Sequence, residues 1–124
     1  MEKQVIQEAL KNCPGIIYYP DTNSLEMIGR SIPENPEQIY RGLEEWITHH
    51  FEKNNGLDIN FQLEYINSGS SKYLFEILKR LTGYRRSGKI VNMKWLYEKD
   101  DEAVLELGEH YRDTAGIPLD IEMI

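Results

Sequence analysis

Leu57-Asp58-Ile59-Asn60-Phe61-Gln62-Leu63-Glu64-Tyr65 alternates apolar and polar residues without a break. Side chains of a strand point to opposite faces with a period of two, so this run predicts a β-strand with one buried and one wetter face. A sheet covered on both sides would show continuous apolar runs instead. The alternation therefore predicts helices mainly on one side of the sheet.

Helices are expected on both flanks of this strand. Upstream, Asn35 suits a helix N-cap, Pro36 the first helical position and Gln38 the capping-box partner. Ile39, Leu43, Trp46, Ile47 and Phe51 then recur at helical spacing, and Asn54-Asn55-Gly56 ends the run. Downstream, Leu74, Ile77, Leu78 and Leu81 mark the inner side of a second helix, followed by a turn from Gly83 to Gly88. Val91, Met93, Trp95 and Tyr97 alternate as another strand. Asp100 or Asp101 caps a third helix carrying Val104, Leu107 and Tyr111 inward, and Leu119, Ile121 and Met123 alternate in a closing strand.

Nearer the N-terminus, Ile16-Ile17-Tyr18-Tyr19 and Leu25-Glu26-Met27-Ile28 flank Pro20-Asp21-Thr22-Asn23, which reads as a hairpin. Residues 1–14 fit a short helix or a strand. The order is β-β-α-β-α-β-α-β: a two-layer α/β fold with a mostly parallel mixed sheet, expected as a single domain over 1–124.

Composition narrows the function classes. The 124 residues carry a formal net charge of −7, which disfavours nucleic-acid binding, where cations must neutralise phosphates. No apolar run reaches the roughly 20 residues that span a bilayer. The start Met1-Glu2-Lys3-Gln4 lacks signal-peptide character, and the lone Cys13 forms no internal disulfide. A cytoplasmic protein is expected. Lys79, Arg80, Arg85, Arg86 and Lys89 form a basic stretch, and Glu98, Asp100, Asp101, Glu102, Glu106 and Glu109 an acidic one. Both read as solvated surface, with partner docking as the alternative.

Chemistry is expected at Asn67-Ser68-Gly69-Ser70-Ser71-Lys72, where the best strand hands over to a helix. Open α/β sheets place functional groups at such junctions, and helix starts favour anions. Three serines there read as kinase-accessible hydroxyls, or as ordinary caps. The GxxxxGK[ST] spacing of a phosphate-binding loop is absent. Glu45 and His49 share a helix face beside His50, which suggests a surface ion pair or, alternatively, the start of a metal site in a small metal-dependent hydrolase. Cys13 reads as inert and half-buried, His110 as exposed, and Trp46 and Trp95 as core.

Two stretches carry a family resemblance. Gly29-Arg30-Ser31-Ile32-Pro33-Glu34-Asn35 resembles the GRSYPEN signature of the SiaC family of bacterial regulatory phosphoproteins. Leu63 to Lys72 resembles the family's second signature, a strand ending in Asn-Thr-Ser-Ser, and Trp95 to Glu102 resembles its aromatic strand running into an acidic helix. The resemblance implies a fold similar to STAS domains (anti-sigma factor antagonists), no catalysis, no cofactor and no metal. It implies a partner switch in cyclic-di-GMP and biofilm signalling. The unphosphorylated protein would bind and activate a diguanylate cyclase, with a dedicated kinase and a PP2C-like phosphatase controlling the state. Carried over by motif, the phosphoacceptor falls on Ser68, with Ser70 next. The docking edge falls on Arg30, Ser31, Glu34, Asn35, Asn67, Gly69 and Lys72. Ser68 stands in place of threonine, Gly69 of serine, Ile32 of tyrosine, and Asn12-Cys13-Pro14 of Ser-Thr-Pro. A constitutive interaction scaffold is the alternative function.

Overall fold

A computed structural model describes residues 2–124; Met1 lies outside the described residues. Strands β1 (Gln4–Gln7), β2 (Gly15–Tyr19) and β3 (Ser24–Ser31) come first, followed by helix α1 (Pro36–Lys53). Then β4 (Gly56–Ile66), α2 (Ser68–Arg86), β5 (Ile90–Tyr97), α3 (Glu102–Ala115) and β6 (Leu119–Met123) complete the order. The six strands form one sheet in sequential order β1-β2-β3-β4-β5-β6. The pairs β1–β2 and β2–β3 are antiparallel, and the three later pairs are parallel.

Each parallel pair is joined by one helix and advances the sheet by one strand. Crossovers of one hand then put all three helices on the same side. Burial agrees: Leu57, Ile59, Phe61 and Leu63 are buried, while Asp58, Asn60, Gln62 and Glu64 face the wetter side. Val91, Met93 and Trp95 of β5 and Leu25 and Met27 of β3 complete the sheet's contribution to the core. From the helices come Leu43, Ile47, Leu74, Ile77, Leu78, Leu81 and Val104.

Several expectations need correction. Residues 4–7 form a strand, so the order gains a leading β. Pairing with β2 compensates the poor local signal there. The Asn35 side chain makes no cap hydrogen bond, although the residue does occupy the N-cap position before Pro36. The inner face of α1 is rotated: Tyr40 and His50 are buried, whereas Ile39 and Trp46 are only half-buried. The expected turn from Gly83 is helix as far as Arg86. Alternation in β4 fails at Tyr65, which is exposed.

The basic stretch is knitted largely into the protein. Arg80 pairs with Glu44 of α1 at 2.6 Å and Lys79 with Glu76 at 3.0 Å. Arg85 donates to the Val91 carbonyl, and Lys89 to Asn54 and Asn55. No helix among the described residues is long and apolar enough to cross a membrane.

Helix α3 is seated by Trp95, whose indole N–H donates to the Val104 carbonyl at 2.9 Å. Gly108 permits this approach: a Cβ there would lie 2.4 Å from Trp95 Cδ1. The ring is fully buried and packed against the Phe61 and Tyr111 rings. Overpacking typically costs about 1–3 kcal/mol, against a helix-propensity gain of about 1 kcal/mol for alanine. Such a short contact with a fixed ring sits at or above the top of that range. Gly108→Ala is therefore predicted to lose about 2 kcal/mol net, measured by urea denaturation.

Candidate functional site

The strands β3 and β4 run parallel, and their C-terminal ends lie side by side at one rim of the sheet. Pairing runs Gly29 with Leu63 and Arg30 with Glu64, then skips to Ser31 with Ile66. Tyr65 is the extra residue of this bulge. Its φ of 51° is left-handed, a conformation that costs a non-glycine residue about 1–2 kcal/mol. Bulges of this kind re-aim side chains. Here Tyr65 is 63% exposed, with the Arg30 guanidinium 5.1 Å from the centre of its ring. Arg30 also approaches Glu64 at 3.8 Å.

Past the bulge, Asn67 makes the handover. Its N–H donates to the Ser31 carbonyl at 3.1 Å, tying the end of β4 to the end of β3. Its side-chain oxygen accepts from the Ser70 N–H at 2.8 Å and caps α2. Ser68 is thereby the first helical residue, and it is exposed. Gly69 is exposed beside it, close enough to α1 that an added Cβ would touch Pro36 at 3.5 Å. The starts of α1 and α2 therefore lie next to each other. Lys72, one turn beyond Ser68, is exposed, as are Glu34 and Asn35.

Two expected site residues are not available at this surface. Ser70 is 0% exposed, because two residues beyond Ser68 the helix has turned its side chain inward. The sealed position removes it as a second phosphoacceptor in the folded chain. Ser31 is likewise 0% exposed: it is a strand residue pointing inward, and its hydroxyl meets the Tyr40 hydroxyl at 2.6 Å. Its tie to the rim is through its backbone carbonyl. Burial lifts the Tyr40 pKa to about 12, with the Ser31 and Ser70 hydroxyls acting in the opposite direction. Although Ser70 Oγ lies near Tyr40, it completes no hydrogen bond of good geometry.

Ser68 also borders a groove of about 540 Å³ between the start of α2 and the end of α3. Ser71, Lys72, Phe75, His110 and Tyr111 line it. The Phe75 and Tyr111 rings stack 5.7 Å apart, and the Tyr111 hydroxyl donates to the Ser71 carbonyl at 2.9 Å. Burial raises the Tyr111 pKa, while the Ser71 hydroxyl opposes this. The groove joins segments far apart in the chain, so no local spacing announced it.

The histidines do not assemble into a site. His49 is exposed and 3.8 Å from Glu52 rather than paired with Glu45. His50 points the other way, stacks on Trp46 and shares a 2.9 Å hydrogen bond with the Gly56 carbonyl. Among the described residues, no three His, Cys, Asp or Glu side chains group as metal ligands. Cys13 is half-buried and His110 exposed.

With this geometry in hand, comparison with known proteins is decisive. Residues 7–124 match the family described as SiaC family regulatory phosphoprotein. The chain belongs to the SiaC family. It superimposes on SiaC of Pseudomonas aeruginosa with a TM-score of 0.86 at 25% identity, covering 100% of both chains. A structure of the diguanylate cyclase SiaD in complex with its activator SiaC, from the same organism, matches with a TM-score of 0.85 at 26% identity. That match covers 94% of this chain and 96% of the other. An uncharacterized protein of Pseudomonas aeruginosa strain UCBPP-PA14 is 29% identical over 99 residues, 79% of each chain. The α/β fold is thus the SiaC fold, and the chain is a regulatory phosphoprotein by family.

The cap and the buried hydroxyl are expected to respond oppositely to truncation. Loss of an N-cap side chain costs about 0.5–2 kcal/mol, so Asn67→Ala should lower the urea midpoint by about 1 kcal/mol in stability. Ser70→Ala removes a buried hydroxyl that completes no good hydrogen bond, and should leave stability unchanged or slightly raised. A large loss from Ser70→Ala would contradict the assignment of its hydroxyl as unsatisfied.

Proposed function

We propose that this SiaC-family protein is a phosphorylation-controlled partner switch, without catalysis of its own, whose modified residue is Ser68. Unphosphorylated, the rim carrying Arg30, Glu34, Asn35, Asn67, Gly69 and Lys72 docks on a diguanylate cyclase and supports cyclic-di-GMP synthesis. A protein kinase phosphorylates Ser68 in the cytoplasm and a PP2C-like phosphatase reverses the modification. The observation that carries the reading is the contrast along one helical turn. Ser68 is open to an enzyme, whereas Ser70 is sealed and Ser71 is half-buried against Tyr111. Similarity to a SiaC protein solved as the activator of a diguanylate cyclase supports the choice of partner.

The energetics are compatible. A phosphoserine adds about −1.5 to −2 charges next to the positive end of α2. Because Ser68 sits at the first helical position, the modification leaves the fold intact. Against a docked partner the same charge is moved out of water, at a cost of several kcal/mol wherever the interface does not pair it fully. Moving a population from 1:99 to 99:1 takes about 5.5 kcal/mol of differential affinity. One modification at the interface supplies a free energy of this order.

Binding to the cyclase should distinguish the two states in simple variants. Ser68→Ala is expected to bind like the unmodified protein. Ser68→Asp, with less charge than phosphoserine, should bind at least tenfold more weakly, about 1.4 kcal/mol. Equal affinities for the two variants, both folded, would falsify the switch.

A further inference from the structure

Resting on the switch just proposed, we infer that Tyr65, held out by the bulge at the end of β4, is an anchor residue for the partner protein. Its position is unusual for a residue that serves folding. The backbone is left-handed at φ 51°, a conformation unfavourable for an aromatic residue. The side chain recovers little of that cost, since the residue is 63% exposed and its described ring contact is with Arg30. The bulge accounts for the backbone at this position, but not for the choice of a large aromatic side chain held out in water.

The surroundings specify what would cover it. Tyrosine and arginine dominate protein-interface anchors, because a large flat ring or fork ordered in advance loses little entropy on binding. Tyr65 and Arg30 are already ordered against each other. Arg30 is half-exposed and approaches Glu64 at only 3.8 Å, so guanidinium N–H groups remain free for an incoming acceptor. Ile32, the first residue after the end of β3, adds a second exposed apolar side chain near the same rim. The complementary partner surface is an apolar socket for the Tyr65 ring, bordered by a carboxylate for Arg30. Ser68 lies three residues along the chain from this anchor. A phosphate there adds negative charge to the rim that the partner's carboxylate would have to approach.

The test uses the full chain, unphosphorylated, and the SiaD-like diguanylate cyclase of the same organism, with binding followed by calorimetry and folding by urea denaturation. Tyr65→Ala should weaken binding tenfold or more, while Tyr65→Phe, which keeps the ring, stays within about threefold of the parent. Tyr65→Gly should bind as weakly as Tyr65→Ala, yet unfold at an equal or higher urea concentration, because glycine accepts the left-handed backbone. Parent-like binding by Tyr65→Ala overturns the anchor and leaves the Ser68 switch to its own variants. Loss of stability in parallel with loss of binding marks Tyr65 as a folding residue and also overturns it. A parent chain that does not bind the cyclase overturns both the anchor and the switch.

Discussion

A single residue, Asn67, holds the proposed docking rim together. Its N–H fastens the end of β4 to the Ser31 carbonyl of β3, and its side chain caps the helix that begins one residue later. With both ends of that junction fixed, the outward direction of Ser68 and the inward direction of Ser70 follow from helical geometry. The neighbouring bulge follows as well. The chain must shed one residue between Glu64 and Ile66 to bring Asn67 opposite Ser31, and Tyr65 is the residue displaced.

Everything beneath the rim serves to hold it still. Sequential parallel strands with one helix per crossover bring the C-terminal ends of β3 and β4 together, and with them the starts of α1 and α2. Below the junction, Tyr40 bridges the layers through Ser31 and its stack on Tyr73, 6.1 Å apart. The seat of α3 on Trp95, made possible by Gly108, closes the groove beside Ser68. A rigid platform of this kind lets a small chemical change alter recognition without altering the fold. That is the property a regulatory phosphoprotein requires.

Much of this was legible in the sequence, for identifiable reasons. The period-two run of 57–63 and the matching run of 91–95 each sit on one covered face, so they reported strand, register and layer together. Asp101 stands at a helix start that local chemistry already favours, whereas the cap of α2 is Asn67 and not one of the serines that follow it. Where tertiary contacts decide, the local reading stayed open or failed. Gln4–Gln7, which fitted a helix or a strand, is a strand because β2 pairs with it. His50 is buried because Trp46, Tyr18 and Phe51 surround it. At the rim, motif resemblance pointed to the junction but not to the orientation of each side chain. Ser31 and Ser70 were expected at the surface and lie in the core. Tyr65 was expected inside and lies in water. A bulge shifts every later residue by one face, and the sequence carries no local mark of it beyond the adjacent apolar residues Tyr65 and Ile66, where the alternation breaks.

The central claim is chemical, and it is tested at the covalent level. The purified chain would be incubated with its kinase and ATP, digested, and fragmented by mass spectrometry so that Ser68, Ser70 and Ser71 are resolved within the one peptide. The account predicts a single phosphate on Ser68 and no modification in the Ser68→Ala protein. A phosphate on Ser70 of the folded chain, or on a residue outside the rim with Ser68 unmodified, would contradict it.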